Sequence, residues 1–323
     1  MGTAGAALVA GLGAAALCLL LFPSGIAALR RLGLVQVVRQ QGPASHLRKA
    51  GTPTAGGLLF VPVACIAAAA VEPKNAAVLA CVGLALGHLG LGLADDWLKV
   101  VRRRPEGLIA RYKLAGQLVL AVVLVGFAFA RRPEAANLAV PFLRAPRLVL
   151  GPLPFALLSG LALVGATNGA NFTDGADGLL GSTGLVSLAA LGALCFLQGL
   201  PGLGTFAFAF VGAMLAFLRW NWHPARVFMG DAGSMAIGAA FASVGVLSGL
   251  LLYLPVVGLL FALEVLSVMA QVFWFRRTGR RLLRMAPLHH HLELSGWGER
   301  QLVPRLLLLA FACGALGLIA FWA

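Results

Sequence analysis

AAVLACVGLALGHLGLGLADDWLK, residues 76–99, decides the fold class. Residues 76–94 carry no Asp, Glu, Lys or Arg, and ~17–25 mostly apolar residues are what a helix needs to cross a bilayer. The run closes on Asp95-Asp96-x-x-Lys99. On a helix Asp95 and Lys99 are i,i+4 and Asp96 and Lys99 are i,i+3, so the three share a face. Adjacent carboxylates repel unless a divalent cation or a positive substrate group relieves them. Hard oxygen ligands of this kind suit Mg²⁺, which commonly also holds substrate phosphates. The plain alternative is a solvated acidic helix end with an ion pair.

The rest of the chain repeats the apolar pattern. Its 323 residues are 60% hydrophobic and 11% charged, with mean hydropathy +0.92, whereas soluble domains run near ~25% charged. A core of this length cannot hide so much apolar surface from water. The composition therefore excludes a cytosolic enzyme, a disordered chain and a secreted disulfide scaffold. Ten segments read as spans: 4–22, 55–71, 76–94, 114–130, 149–167, 179–199, 203–219, 233–252, 255–275 and 304–322. The first has no basic flank or clear cleavage site and is read as a retained span rather than a signal peptide. A Gly/Pro turn near Leu200–Leu203 makes the sixth and seventh a hairpin. No internal repeat is visible, so the expectation is one all-α transmembrane domain over residues 1–323. Cys18, Cys65, Cys81, Cys195 and Cys313 all lie in apolar runs without CxxC spacing and read as small buried hydrophobes.

Charge orients this bundle. The formal net charge is +14, which on a soluble protein would suggest nucleic acid. Here twenty of the 25 basic residues fall in loops on one face and five on the other. By the positive-inside rule the rich face is cytoplasmic, and ten spans then put both termini outside. No nucleic-acid partner is expected; the lipid bilayer is. Of the eleven acidic residues only Glu72 and Glu134 fall on the outer face. The others converge on the cytoplasmic side, apart from Glu264 within the ninth span, and suggest a polar, cation-binding cleft there.

Four further motifs face that cleft. Asn168-x-x-Asn171-x-Thr173-Asp174-Gly175-x-Asp177-Gly178 lies between spans five and six and reads as turn chemistry before a helix N-terminus. Helix caps alone do not need so many polar groups, so Asp174 and Asp177 are candidate ligands for substrate donors or metal. Phe228-Met229-Gly230-Asp231-Ala232-Gly233-Ser234 sets an acid between glycines at a helix start, where backbone N–H groups can approach a phosphate. Phe228 reads as a base-stacking or core ring, and Asn221 as a polar ligand or turn residue. Lys49-x-Gly51-Thr52-Pro53-Thr54-x-Gly56-Gly57 is a rigid turn with free hydroxyls suited to phosphate or sugar, though Lys49 by itself is also a membrane-orienting charge. In Ala286-Pro287-Leu288-His289-His290-His291-x-Glu293, successive imidazoles cannot all reach one ion from a regular helix; phosphate binding or acid–base work near neutral pH is as plausible. Glu264, Ser267 and Gln271 share one stripe of span nine that faces the bundle or a cavity. His46, His88 and His223 read as ordinary loop or core residues.

Taken together, SHLRKAGTPTAGG, LADDWLKV, GLIARYK, NGANFTDGADGL, RVFMGDAGS and RMAPLHHHLELSGW, in this order from about residue 44 to 305, resemble the polyprenyl-phosphate N-acetylhexosamine-1-phosphate transferase superfamily. Within it the Gly-Thr-Pro-Thr and Ala-Pro-Leu-His-His-His stretches are similar to the phospho-N-acetylmuramoyl-pentapeptide transferase branch. Ala55, Phe172, Ala176 and Ala232 depart from common family choices, and a smaller Ala176 would loosen any contact it makes to uracil. The resemblance implies an Mg²⁺-dependent transfer from UDP-MurNAc-pentapeptide to undecaprenyl phosphate, giving lipid I and UMP in peptidoglycan synthesis, at the cytoplasmic face of a bacterial inner membrane. It also implies a homodimer. By motif match Asp231 would be the Mg²⁺ ligand, Asp95 would activate or orient the lipid phosphate, and Asp96 would support metal or phosphate. Lys49, Thr54, Lys99, Asn168, Asn171, Asp174, Gly175, Asn221, Phe228 and Ser234 would line the nucleotide-sugar site, with Asp177 near the base. His289, with a catalytic share, and His290 and His291 would hold phosphate or sugar, and Glu264 and Gln271 would lie along the substrate groove. Direct attack by the lipid phosphate is favoured over a covalent intermediate, since a metal-held carboxylate is already occupied. The rivals are a relative using another UDP-HexNAc, an intramembrane prenyltransferase, and a transporter. An acid rather than Lys99 would be expected in a prenyltransferase, and a midplane site with repeated halves in a transporter.

Overall fold

The computed structural model describes residues 2–35, 51–104, 106–143 and 147–323; Lys49 lies outside the described residues. The apolar runs form helices in chain order: α1 (Thr3–Arg31), α2 (Gly57–Val71), α3 (Ala76–Val100), α4 (Ala110–Arg131), α5 (Pro152–Thr173), α6 (Leu179–Leu197), α7 (Pro201–Asn221), α8 (Gly230–Leu247), α9 (Leu254–Val257), α10 (Leu259–Thr278), α11 (Leu288–Leu294) and α12 (Glu299–Trp322). Sheet among the described residues is one two-stranded antiparallel pair, β1 (Asn137–Leu138) with β2 (Leu148–Val149), between α4 and α5. Nine of the described helices are long and apolar enough to cross a membrane. The chain is an all-α, multi-pass membrane protein.

Three elements differ from the reading of the sequence. The expected span 55–71 is α2, only 15 residues long, about 22 Å of helix against a hydrocarbon core of ~30 Å. It starts late because the backbone ahead of it is engaged: Gly56 and Gly57 donate N–H bonds to the Phe228 and Met229 carbonyls at 2.8 and 2.9 Å. Secondly, α1 runs nine residues past the expected end at Phe22, through Pro23, to a last turn holding Arg30 and Arg31. Thirdly, Asn168, Asn171 and Thr173 are not in a loop. They form the last turns of α5, and only Asp174–Gly178 makes the connection to α6. The Asp95-Asp96-x-x-Lys99 group is helical as expected, in the last turns of α3.

Helix α8 is the axis of the bundle: every residue from Ala232 to Leu247 is buried. It packs against α3 and α5, while α6 and α7 pack on each other and α1 lies along α7. In lipid there is no hydrophobic drive between helices, so close packing of small residues has to hold them together. Gly92 shows how tight this is, because a Cβ there would run into the Asp231 carbonyl. This close approach sets the acidic end of α3 against the first turn of α8. At the opposite end, the Phe142 N–H and the Tyr253 hydroxyl both bond the Ala320 carbonyl near the end of α12.

Candidate active site

Three acids meet where α3 ends and α8 begins. Asp95 and Asp96 are buried, and one carboxylate oxygen from each of Asp95, Asp96 and Asp231 lies within 4.8 Å of the others. Two lysines close the cluster. Lys99 Nζ sits 3.1 Å from Asp231 Oδ2 and also pairs with Asp95. Lys113 Nζ, from the first turn of α4, sits 2.6 Å from the same Asp231 oxygen. Three carboxyl groups beside two ammonium groups gather hard oxygen donors, a set that fits Mg²⁺ shared with substrate phosphates.

The three acids are held differently. Asp96 accepts the N–H groups of Asp231 and Ala232, both at 3.1 Å, and so acts on the N-terminus of α8 from another helix. A carboxylate there satisfies orphan donors and the positive end of the dipole. Gly230 permits it, with φ +71° and no Cβ to meet Asp96 Oδ2. Asp95 accepts the Leu108 N–H at 2.9 Å, which ties the 102–109 connection to α3. Asp231 faces the lysines and is the one of the three whose side chain reaches the surface appreciably, at 16%.

Around this centre the sequence motifs touch one another directly. Asn171 donates to Ser234 Oγ at 2.8 Å. Asn221, buried, accepts the Gly178 N–H at 3.1 Å and donates to the Val227 carbonyl at 3.0 Å, so its amide joins the two loops. Phe228 N–H donates to the Pro53 carbonyl at 2.8 Å, and Thr54, buried, donates its N–H to Leu34. Gly175 lies against the His289 ring, where a Cβ would collide with Nε2. Asp174 sits at the C-cap of α5.

The three histidines of α11 face different ways, as expected from a helix. His289 is buried against the fully buried Glu264 of α10; its N–H donates to Oε1 at 3.3 Å and its Nδ1 lies 3.3 Å from the same oxygen. His290 Nδ1 is 2.8 Å from Glu293 Oε2, and His291 Nδ1 accepts the Arg284 N–H at 3.2 Å. Gln271 accepts the Leu282 and Leu283 N–H groups at 3.0 and 2.8 Å, holding the turn after α10. Asn168 donates to Gln117 Oε1 at 2.9 Å across α4 and α5.

Two features were missed in the sequence. Lys113 is hidden among neighbouring basic residues, where a membrane-orienting charge and a site lysine look alike. His223 is no ordinary loop histidine: its Nδ1 lies 3.2 Å from Asp177 Oδ2 and 3.0 Å from Glu299 Oε2. These three form a second group of metal-type ligands within 4.8 Å of one another.

Residues 78–249 match Glycosyl transferase family 4. Curated relatives match over nearly their full length. The phospho-N-acetylmuramoyl-pentapeptide-transferase of Desulforamulus reducens is 42% identical over 311 residues, 94% of this chain and 93% of that protein. The enzyme of the same name from Moorella thermoacetica is 45% identical over 305 residues, 94% and 95% respectively. The chain belongs to the phospho-N-acetylmuramoyl-pentapeptide-transferase family. That of Rubrobacter xylanophilus is 40% identical over 293 residues, 89% of this chain and 88% of its own. Membership of this family accounts for polar motifs gathered at one end of an apolar bundle.

Proposed function

We propose that this chain transfers phospho-N-acetylmuramoyl-pentapeptide from UDP-MurNAc-pentapeptide to undecaprenyl phosphate in the bacterial inner membrane, releasing UMP and forming lipid I for peptidoglycan synthesis. The observation that carries the reading is the cluster of Asp95, Asp96 and Asp231 with Lys99 and Lys113 at one end of the bundle, in a chain of this family. The twenty basic residues on that side support a cytoplasmic site. The whole chain is taken as one catalytic unit, with a homodimer as the expected assembly, checked by mass in lipid nanodiscs.

In the reaction, an oxygen of the lipid phosphate attacks the β-phosphorus of the UDP donor. The bond from that phosphorus to the α-phosphate oxygen breaks, and UMP leaves with the bridging oxygen. Catalysis of this kind is mostly positioning and charge neutralisation. Asp231, aimed by the two lysines, is the residue to hold Mg²⁺, with Asp96 keeping its helix end in place. Mg²⁺, when bound, offsets the charge of the phosphates. Asp95 orients the acceptor phosphate or takes its proton, and Lys99 and Lys113 neutralise the diphosphate as it is drawn in. The turn from Asp174 to Asp177 and the Phe228 ring are assigned to the uridine end, with Lys49, Asn168, Asn171, Gly175, Asn221 and Ser234 around the donor. The histidines of α11 are assigned to phosphate or sugar, and Glu264 holds His289.

The test is a transfer assay in detergent with UDP-MurNAc-pentapeptide and undecaprenyl phosphate, with and without Mg²⁺, following UMP. UMP release that needs both substrates and the metal is expected. Release only with another UDP-HexNAc would move the chain to a different branch, and release without Mg²⁺ would remove the metal from the mechanism.

A further inference from the structure

We propose that His223 and Glu299 are positioning residues for the nucleotide end of the site: the His223 imidazole clasps the Asp177 turn to the start of α12. The proposal rests on the assignment above of the Asp174–Asp177 turn to the uridine end of the donor. His223 Nδ1 is 3.2 Å from Asp177 Oδ2 and 3.0 Å from Glu299 Oε2, so one ring nitrogen lies between two carboxylates. The Ala225 N–H donates to the same Asp177 oxygen at 3.0 Å. Asp177 is buried, whereas the His223 side chain is 33% exposed, so the clasp closes from the surface inward.

The position of this clasp gives it a function. The turn it holds is short and is gripped again at its last residue, where the Gly178 N–H donates to Asn221. In its middle, Gly175 lies against the His289 ring of α11. Helix α12 starts five residues after α11 ends, so Glu299 ties the uridine turn to the same stretch that carries the histidines. Without the imidazole, the Asp177 and Glu299 oxygens face each other inside a 4.8 Å group. Like charges that close repel, and the turn is the lighter partner to move. Displacing it should weaken the grip on the donor and leave the acid–lysine cluster, which is built on α3, α4 and α8, in working order. Within the full-length enzyme, a Gln at 299 removes the repulsion and offers an amide donor to Asp177.

The experiment compares wild type, His223→Ala and the double variant His223→Ala/Glu299→Gln, all full-length in detergent. For His223→Ala the donor KM and the dissociation constant for UMP should both rise about tenfold or more, as expected for a lost hydrogen bond to a charged group. Its kcat, its KM for the lipid and its melting temperature should stay near wild type. The double variant should recover most of the donor KM and UMP affinity. Unchanged donor KM and UMP affinity in His223→Ala would overturn the proposal. So would a lower melting temperature with a matching loss of kcat that the second substitution does not relieve, because that is the pattern of a merely structural contact. A wild-type enzyme that turns over no UDP donor would sink the functional reading and this one with it. A wild type that turns over normally beside an indifferent His223→Ala would overturn this proposal alone.

Discussion

Asp231 is where chemistry and architecture meet in one side chain. Both lysines of the cluster point at its Oδ2, at 3.1 and 2.6 Å. Substituting Asp231→Asn keeps the shape and removes the charge, so kcat should fall about 10²–10³-fold or more, in line with losing one preorganised electrostatic contact. The melting temperature should show the bundle still folded; activity retained in the UMP assay would remove Asp231 as the metal ligand. Lys113 makes the shorter of the two lysine contacts, and its neutral variant Lys113→Met should lower kcat/KM by about 10²-fold if a buried charge-assisted contact is worth ~3 kcal/mol. A change below twofold would mean that Lys99 alone supplies the positive charge. Asp96 differs in kind from both. With its two oxygens on the Asp231 and Ala232 amides, it fixes the start of α8.

At the level of elements, the site exists because α3 and α8 approach more closely than ordinary side chains allow. Gly92 faces the Asp231 carbonyl with no room for a Cβ. Gly92→Leu should therefore part the two helices, break the Asp96 bonds and destabilise the protein by several kcal/mol, since overpacking and lost bonds add. A thermal melt in detergent reads the loss. A melting point equal to wild type would mean the helices can slide without penalty. Helix α2 belongs to the same argument. Its shortness follows from Gly56 and Gly57 bonding the 228–229 backbone, which makes the α2 start part of the wall beside Phe228.

For the whole molecule, the site end of the bundle and the basic face are the same end, and the remaining question is which side of the membrane it faces. All five native cysteines are buried, so an impermeant maleimide has little background. Ser295, exposed just after α11, and Arg147, exposed beside β2, mark opposite ends. In spheroplasts, Arg147→Cys should label at once and Ser295→Cys only after permeabilisation. The reverse order would place the site outside and break the positive-inside reading.

Much of this was legible in the chain itself. Residues 76–94 announce a span, and the ten apolar segments set the all-α membrane class before any packing is known. The Asp95–Lys99 spacing places three groups on one helix face, and the alternation of loops sorts the charges. Each of these depends on neighbours within a turn or two, or on composition, so each is written locally. What only the tertiary structure decided is which distant groups meet. Lys113 pairs with an acid 118 positions away, and His223 with one 46 positions back. The helical placement of Asn168 and Asn171, the length of α2 and the partners of the α11 histidines were settled in the same way. Such distances follow from how closely the helices pack, and that depends on small residues such as Gly92 acting across the bundle. Local periodicity carries no record of it.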